Sequence, residues 1–240
     1  MRTQERFWEM YLGVTLQKLG YAVSKPSHIG PDFCVDLSGG KLWIEAVTSS
    51  GGEGADALKE PDYNESYAIP ENQILLRLLS SLSEKYKRFC QYLDSEIVDE
   101  NDFCVVAING AKVPYILPDD RDIPYIVQAV LPFGPLGMKI DRDTGKPLWS
   151  GRFFRGMVNK KSGSVVPTTV FQDGSYTRLS GIIYSKINPL NMWKPMGEDL
   201  LFLHNPTAAK PLPLDWLQAG REFWVEENIL QNRLKTILAM

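Results

Sequence analysis

The stretch "GPDFCVDLSGGKLWIEAVTSS", Gly30 to Ser50, sets two apolar runs on either side of Gly39-Gly40 and puts a carboxylate near the outer end of each, Asp32 and Glu45. "DFCVDL" and "KLWIEAV" have the β-branched and aromatic content of strands, and diglycine tolerates the positive φ of a two-residue hairpin turn. With that turn, Ser38 pairs with Lys41, Asp36 faces Trp43, Cys34 faces Glu45 and Asp32 faces Val47. Side chains alternate along a strand, so Phe33, Val35, Leu37, Leu42, Ile44 and Ala46 share one uniformly apolar face, the expected core side. Asp32 and Glu45 share the other face as diagonal neighbours, about 5 to 8 Å apart.

Two carboxylates at that separation repel, so one takes a proton or both share a cation. Mg²⁺ suits such a pair, because it takes oxygen ligands and is commonly held by one or two carboxylates with several waters; Mn²⁺ would serve the same role. The plainer alternative is that Asp32 follows Pro31 in a turn and Glu45 lies on a solvated strand face.

Outward from the hairpin, Thr3 to about Leu19 reads as a helix, with Phe7, Trp8, Tyr11, Leu12, Thr15 and Leu19 at helical spacing and Gly20 as the stop. "YAVSK" reads as a short strand ended by Pro26, Ser49 to Glu60 as a loop, Glu71 to Leu93 as a long helix, and "FCVVAI" as a strand buried on both faces. Beyond Asn109, prolines at 114, 118, 124, 132 and 135 predict loops and short helices. "SVVPTTVFQDGSYTRLSGIIYS" predicts a hairpin turning at Asp173-Gly174, "DLLFLHN" a strand, and Phe223 to Leu238 a mostly helical tail. The expected whole is a single α/β domain over residues 1–240, with a β-rich C-terminal half.

The 240 residues carry a formal charge of -3, with 44% hydrophobic and 23% charged residues. No apolar run approaches the roughly 20 residues of a membrane span, and the first residues lack a secretory apolar region, so a cytoplasmic protein without membrane contact is expected. Cys34, Cys90 and Cys104 form no C-x-x-C pair and read as buried thiols. The acidic balance argues against a chain that coats nucleic acid nonspecifically and leaves room for a local patch. "GRFFRGMVNKK" is the best candidate, with Arg152, Arg155, Lys160 and Lys161 beside two aromatics; a solvated loop or strand is the alternative. "GGEG" at Gly51 to Gly54 lacks the following Lys-Ser/Thr of a phosphate loop. His204, Asp215 and Glu222 have no accompanying G-x-S-x-G, so no catalytic triad is built from them.

The residues resemble the PD-(D/E)XK nuclease superfamily, the restriction-endonuclease-like fold. Pro31-Asp32 matches the PD, Glu45-Ala46-Val47 takes the (D/E)XK position, and the order of elements is similar to the family's αβββαβ core with its mixed sheet. The likeness covers about Thr3 to Asn109, so residues 1–110 form the nuclease-like core and 111–240 a C-terminal extension packed on it. It implies that Asp32 and Glu45 hold Mg²⁺ or Mn²⁺ and that water attacks a phosphodiester of DNA or RNA, DNA first. It also implies a lysine two residues after the acid, where this chain has Val47.

Some members of that family draw the lysine from the following helix. In "ILLRLLSSLSEKYKRF", Ile74, Leu75, Leu78, Leu82, Tyr86 and Phe89 form the apolar stripe and Lys85 projects from its edge, with Arg77 and Ser81 on the adjacent strip toward phosphate. Lys85 is the expected substitute, the alternative being a stem that snorkels over the core with its ammonium in water. The first helix contributes an acid in several branches, which singles out Glu5, with Glu9 on the neighbouring strip. His28, four residues before Asp32, is a candidate base or a loop histidine without a role. The resemblance implies a nucleic acid partner, and leaves open a homodimer, a protein partner, or an inactive nuclease fold that only binds or scaffolds.

Overall fold

The computed structural model describes residues 2–25, 29–62, 64, 66, 68–116 and 122–235. The first helix, α1 (Arg2–Lys18), buries Trp8, Tyr11, Leu12, Thr15 and Leu16 at helical spacing. It stops where the sequence predicts. Gly20 takes φ 88°, its N–H bonds the Gln17 carbonyl, and the Tyr21 N–H bonds the Leu16 carbonyl, the paired closure that a left-handed glycine permits. Trp8 Nε1 donates to the Ala107 carbonyl at 3.1 Å and anchors the helix to the sheet.

Three strands follow, β1 (Val23–Ser24), β2 (Phe33–Leu37) and β3 (Gly40–Ser50), then α2 (Glu71–Asp94) and β4 (Phe103–Lys112). β1–β2 and β2–β3 are antiparallel, whereas β3 and β4 are parallel. The hairpin register differs from the expectation. Leu37 pairs with Gly40, Asp36 with Lys41 and Cys34 with Trp43, so the turn is Ser38-Gly39. The positive dihedral falls on Gly40, φ 131°, after the turn. Asp102 secures that end, accepting from the Lys41 N–H at 2.9 Å and Trp43 Nε1 at 2.8 Å. Relative to the expectation the pairing slips by two residues. Because strand faces repeat every two residues, each side chain stays on its face.

After β4 come a short helix, α3 (Tyr125–Val130), and eight strands: β5 (Phe133–Ile140), β6 (Pro147–Phe154), β7 (Met157–Asn159), β8 (Val165–Pro167), β9 (Gly181–Ser185), β10 (Leu201–His204), β11 (Gly220–Glu226) and β12 (Ile229–Lys235). A mixed eight-stranded sheet runs β1-β2-β3-β4-β9-β10-β11-β12, so strands from both halves of the chain share it. β5–β6 and β7–β8 form two small separate ribbons.

Several expectations for the second half are corrected. Loops and short helices were expected after Asn109, yet β4 extends to Lys112 and residues 133–154 form a hairpin. Its prolines are tolerated because Pro135 sits where the register shifts and Pro147 opens β6. β8 pairs with β7, not with β9, so no hairpin turns at Asp173-Gly174; the closer turn over Lys160–Ser164, with Gly163 at φ 86°, captures β8 first. The tail is not helical: β11 and β12 pair through Glu227 and Asn228, at φ 50° and 61°. Two consecutive positive φ values match the twist of a tight hairpin, and the pairing covers β11. Residues 236–238 of that expected helix lie outside the described residues.

The sheet is covered on both faces. On one, α1 packs Trp8, Leu12 and Leu16 against Phe33, Val35, Leu42 and Ile44, the predicted core side. On the other, α2 and α3 bring Leu75, Leu78, Leu82, Phe89 and Ile126 against Trp43, Val106 and Ile108. The Glu45 face of β3 is therefore not solvated, which removes the plain reading of Glu45 as an acid on a wet strand. Among the described residues, no helix is long and apolar enough to cross a membrane.

Candidate functional site

Continuing the β2–β3 register one step past Phe33 and Ile44 brings Asp32 level with Glu45. Asp32 Oδ2 accepts the Ala46 N–H at 2.8 Å, which turns this carboxylate toward β3. Glu45 is 2% exposed and lies beneath α2. Its Oε1 meets Lys85 Nζ at 2.8 Å and Arg88 Nη1 at 3.5 Å. Among the described residues, Asp32 Oδ1 and Glu45 Oε2 accept no hydrogen bond.

Burial pushes the Glu45 carboxyl above the ordinary glutamate range, Lys85 pulls against it, and Asp32 raises it further. Lys85 reaches Glu45 because it lies one turn beyond Ser81 and Leu82 on the buried side of α2; it is 8% exposed, so its ammonium ends on a carboxylate and not in water. Arg88 follows three residues later on the same side and also bridges to Glu84 at 3.4 Å. Sequence reasoning passed over Arg88, although the i,i+3 spacing from Lys85 was a signal for it.

The acid of α1 that feels Asp32 is Glu9. Burial, then Asp32, raise its carboxyl above the ordinary range, while Glu5, one turn earlier, is exposed. Arg77 and Ser81 fasten the end of β3 to α2. Arg77 Nε donates to the Ser50 carbonyl at 3.0 Å, and Ser81 Oγ to Ser49 Oγ at 2.9 Å. His28 lies outside the described residues.

The predicted basic patch divides into two parts. Arg152 is held by Asp122, and Arg155 by Glu71 at 2.9 Å. Lys160 and Lys161 stand exposed on the β7–β8 turn, the Lys160 N–H donating to the Ser164 carbonyl at 2.8 Å and the Lys161 N–H to Asp56 at 2.8 Å. Glu71 opens α2, fourteen residues before Lys85, which separates Arg155 from the acid pair by about 21 Å at 1.5 Å per helical residue.

A second charged cluster gathers His204, Asp215 and Glu222 with Lys235, which the sequence did not single out, and joins β10, β11 and β12. His204 Nε2 lies 2.8 Å from Glu222 Oε1, the Asp215 N–H donates to the same oxygen at 2.8 Å, and Lys235 Nζ lies 3.1 Å from both Glu222 Oε2 and Asp215 Oδ1. Every member is tied to another, so this cluster fastens the sheet edge.

Among the described residues no group of three or more His, Cys, Asp or Glu side chains converges as a metal site. The candidate centre is therefore a pair of carboxylates, each with one uncommitted oxygen, flanked by a buried ammonium and a guanidinium. That donor set fits a hard divalent ion that keeps most of its waters. Comparison with protein-family models, with curated proteins and with solved structures finds no match for this chain.

Proposed function

We propose that this chain is a Mg²⁺- or Mn²⁺-dependent nuclease-like protein of restriction-endonuclease-like fold, acting on phosphodiester bonds of DNA or RNA. The observation that carries the reading is Lys85 Nζ at 2.8 Å from Glu45 Oε1, with Asp32 immediately before β2 and bonded to the Ala46 N–H. Element order α1-β1-β2-β3-α2-β4 supports it, as does a lysine supplied by the helix after the motif that carries Val47. Asp32 Oδ1 and Glu45 Oε2 would hold the ion. When bound, such an ion polarises a phosphoryl oxygen and lowers the pKa of coordinated water. Lys85 keeps a positive charge beside the carboxylates, and Arg88, nearer solvent, is placed to meet phosphate. Glu9 on α1 has its carboxyl raised by burial and then by the charge of Asp32.

A second reading is a nuclease fold that binds without cleaving. Its support is Val47, partly buried against the α2 side of the core where the motif lysine would stand, and the engagement of Lys85 by Glu45. Cleavage of single- and double-stranded DNA and RNA with Mg²⁺ or Mn²⁺ separates the two. Hydrolysis lost in Asp32→Ala, Glu45→Ala and Lys85→Ala supports the enzyme. Hydrolysis that survives all three substitutions rules out this site, and nucleic acid binding without hydrolysis selects the second reading.

A further inference from the structure

The β5–β6 ribbon stands outside the eight-stranded sheet and presents aromatic rings lying flat along it. Gly137 pairs directly with Gly151. A Cβ at Gly137 would meet Phe153 Cε2 at 2.0 Å, and one at Gly151 would meet Trp149 Cζ2 at 2.8 Å, so each ring rests on a glycine backbone. The two ring centroids are 5.3 Å apart, with planes inclined by 48°. Covering glycines accounts for the inner ring faces. The outer faces stay in water, with Trp149 42% and Phe153 55% exposed.

The charge of this part of the chain opposes that of the whole. Residues 133–164 hold seven Lys and Arg against Asp141 and Asp143, in a protein of net charge -3. Lys139 lies directly across from Trp149, and Lys139, Arg142, Lys146, Lys160 and Lys161 are exposed. At the foot of the ribbon, Arg155 bonds Glu71 at the start of α2, and a groove of about 490 Å³ is lined by Phe153, Phe154, Arg152 and Ile229.

We propose that the β5–β6 ribbon is a docking arm for unpaired nucleic acid, whose bases stack on Trp149 and Phe153 and whose phosphates meet Lys139, Arg142 and Lys146. Open aromatic faces beside exposed cations suit single strands, since every base offers a π-face and the backbone tracks positive charge, whereas a duplex keeps its base faces stacked inside. The arm deepens the nuclease reading and rests on it for the centre it serves, since Arg155 ties the foot of the ribbon to the start of the helix that carries Lys85.

Fluorescence anisotropy of a labelled oligothymidine of about 20 nucleotides, in EDTA and across a salt series, tests the arm apart from hydrolysis. The W149A/F153A variant is expected to bind at least about tenfold more weakly with a similar salt slope. K139E/K146E, which keeps both rings, is expected to bind more weakly with a flatter slope. Unaltered thermal melting of both ribbon variants checks that the fold is intact. Full binding by W149A/F153A, or no binding by the unaltered protein, overturns the proposal. A dimer that W149A/F153A converts to monomer, seen by sedimentation velocity, also overturns it, in favour of an interface between copies of this chain. Ribbon-dependent binding without any cleavage sinks the nuclease reading and leaves the arm standing. Cleavage with unchanged binding and KM in W149A/F153A sinks the arm alone.

Discussion

Glu45 and Glu222 are both almost fully buried, and each faces a lysine ammonium, at 2.8 and 3.1 Å. Their acidities nevertheless shift in opposite directions. At Glu45 burial dominates, with Asp32 adding repulsion, and the carboxyl rises. At Glu222 burial pulls upward too, but donors from His204, the Asp215 N–H and Lys235 outweigh it and hold the carboxyl below the ordinary range. Glu222 has both oxygens near donors of its own fold, Oε1 bonded by His204 and the Asp215 N–H and Oε2 in ion-pair contact with Lys235 at 3.1 Å, although Oε2 makes no hydrogen bond. Among the described residues Glu45 Oε2 has no such contact, and Asp32 adds an unfavourable charge that a divalent cation would offset. A buried charge compensated by several donors serves cohesion, while a less compensated one is the better candidate for chemistry.

The sharpest way to break this comparison is at Glu45 itself. Glu45→Gln is expected to reduce metal-dependent cleavage by about 10³-fold, roughly 4 kcal/mol of barrier, with Lys85→Ala following at about 10²-fold. Single-turnover cleavage at saturating Mn²⁺ measures both. Glu222→Gln should leave that rate unchanged and cost about 3 kcal/mol of stability, because Lys235 loses its buried counter-charge and the amide keeps only one of the two oxygens that His204 and Lys235 face. In a chain of this size that is a fall of roughly 6–12 °C in Tm, read by calorimetry. A loss of cleavage with an unchanged Tm in Glu222→Gln would invert the assignment of the two clusters.

Acid should separate the clusters as well. Burial holds the folded His204 below its ordinary value of 6.5, so the unfolded chain takes up a proton first and stability falls as pH drops through 6.5. Glu222, held below 4.5, adds a further loss as pH drops below that value. Glu45 works in the other direction: the folded chain protonates it above 4.5, which favours the fold yet removes the charge a cation needs. Mg²⁺ affinity by calorimetric titration is therefore expected to decline on acidification before Glu222 begins to titrate. Affinity that stays constant down to pH 4.5 would refute the role given to Glu45. The smallest expected effect is a rescue. Val47→Lys places an ammonium two residues from Glu45 on the same strand face, and it should restore about tenfold of the rate lost in Lys85→Ala, some of the gain being offset by burying the new charge.

The first half of the chain was legible because its signals are local and strong. α1 and α2 have uninterrupted apolar stripes, and β2, β3 and β4 have compact runs of apolar residues, aromatic and β-branched among them. The hairpin register was misread by two residues because Asp102, some sixty positions away, secures the Lys41 end of β3. The misreading did little harm, since a slip of two preserves the face of every side chain. In the second half the signals were weak or contradictory. Prolines masked the β5–β6 ribbon, and Glu227-Asn228 formed a tight turn without glycine, so the tail read as a helix. The pairing of β9 with β4, across more than seventy residues, had no local mark.

The sequence by itself set Glu45 within a strand and Asp32 at the mouth of its hairpin partner, in phase with the same face, because alternation along a strand is a local property of the backbone. Likewise, helical spacing alone set Lys85 at the margin of the apolar stripe of α2. Only the tertiary structure decided that α2 closes over Glu45, that the Lys85 ammonium ends on a carboxylate, that Glu9 is partly buried where Glu5 is exposed, and that His204, Glu222 and Lys235 meet. The reason is physical: periodicity dictates the direction in which a side chain leaves its own element, whereas charge pairing and burial depend on which distant element packs against it.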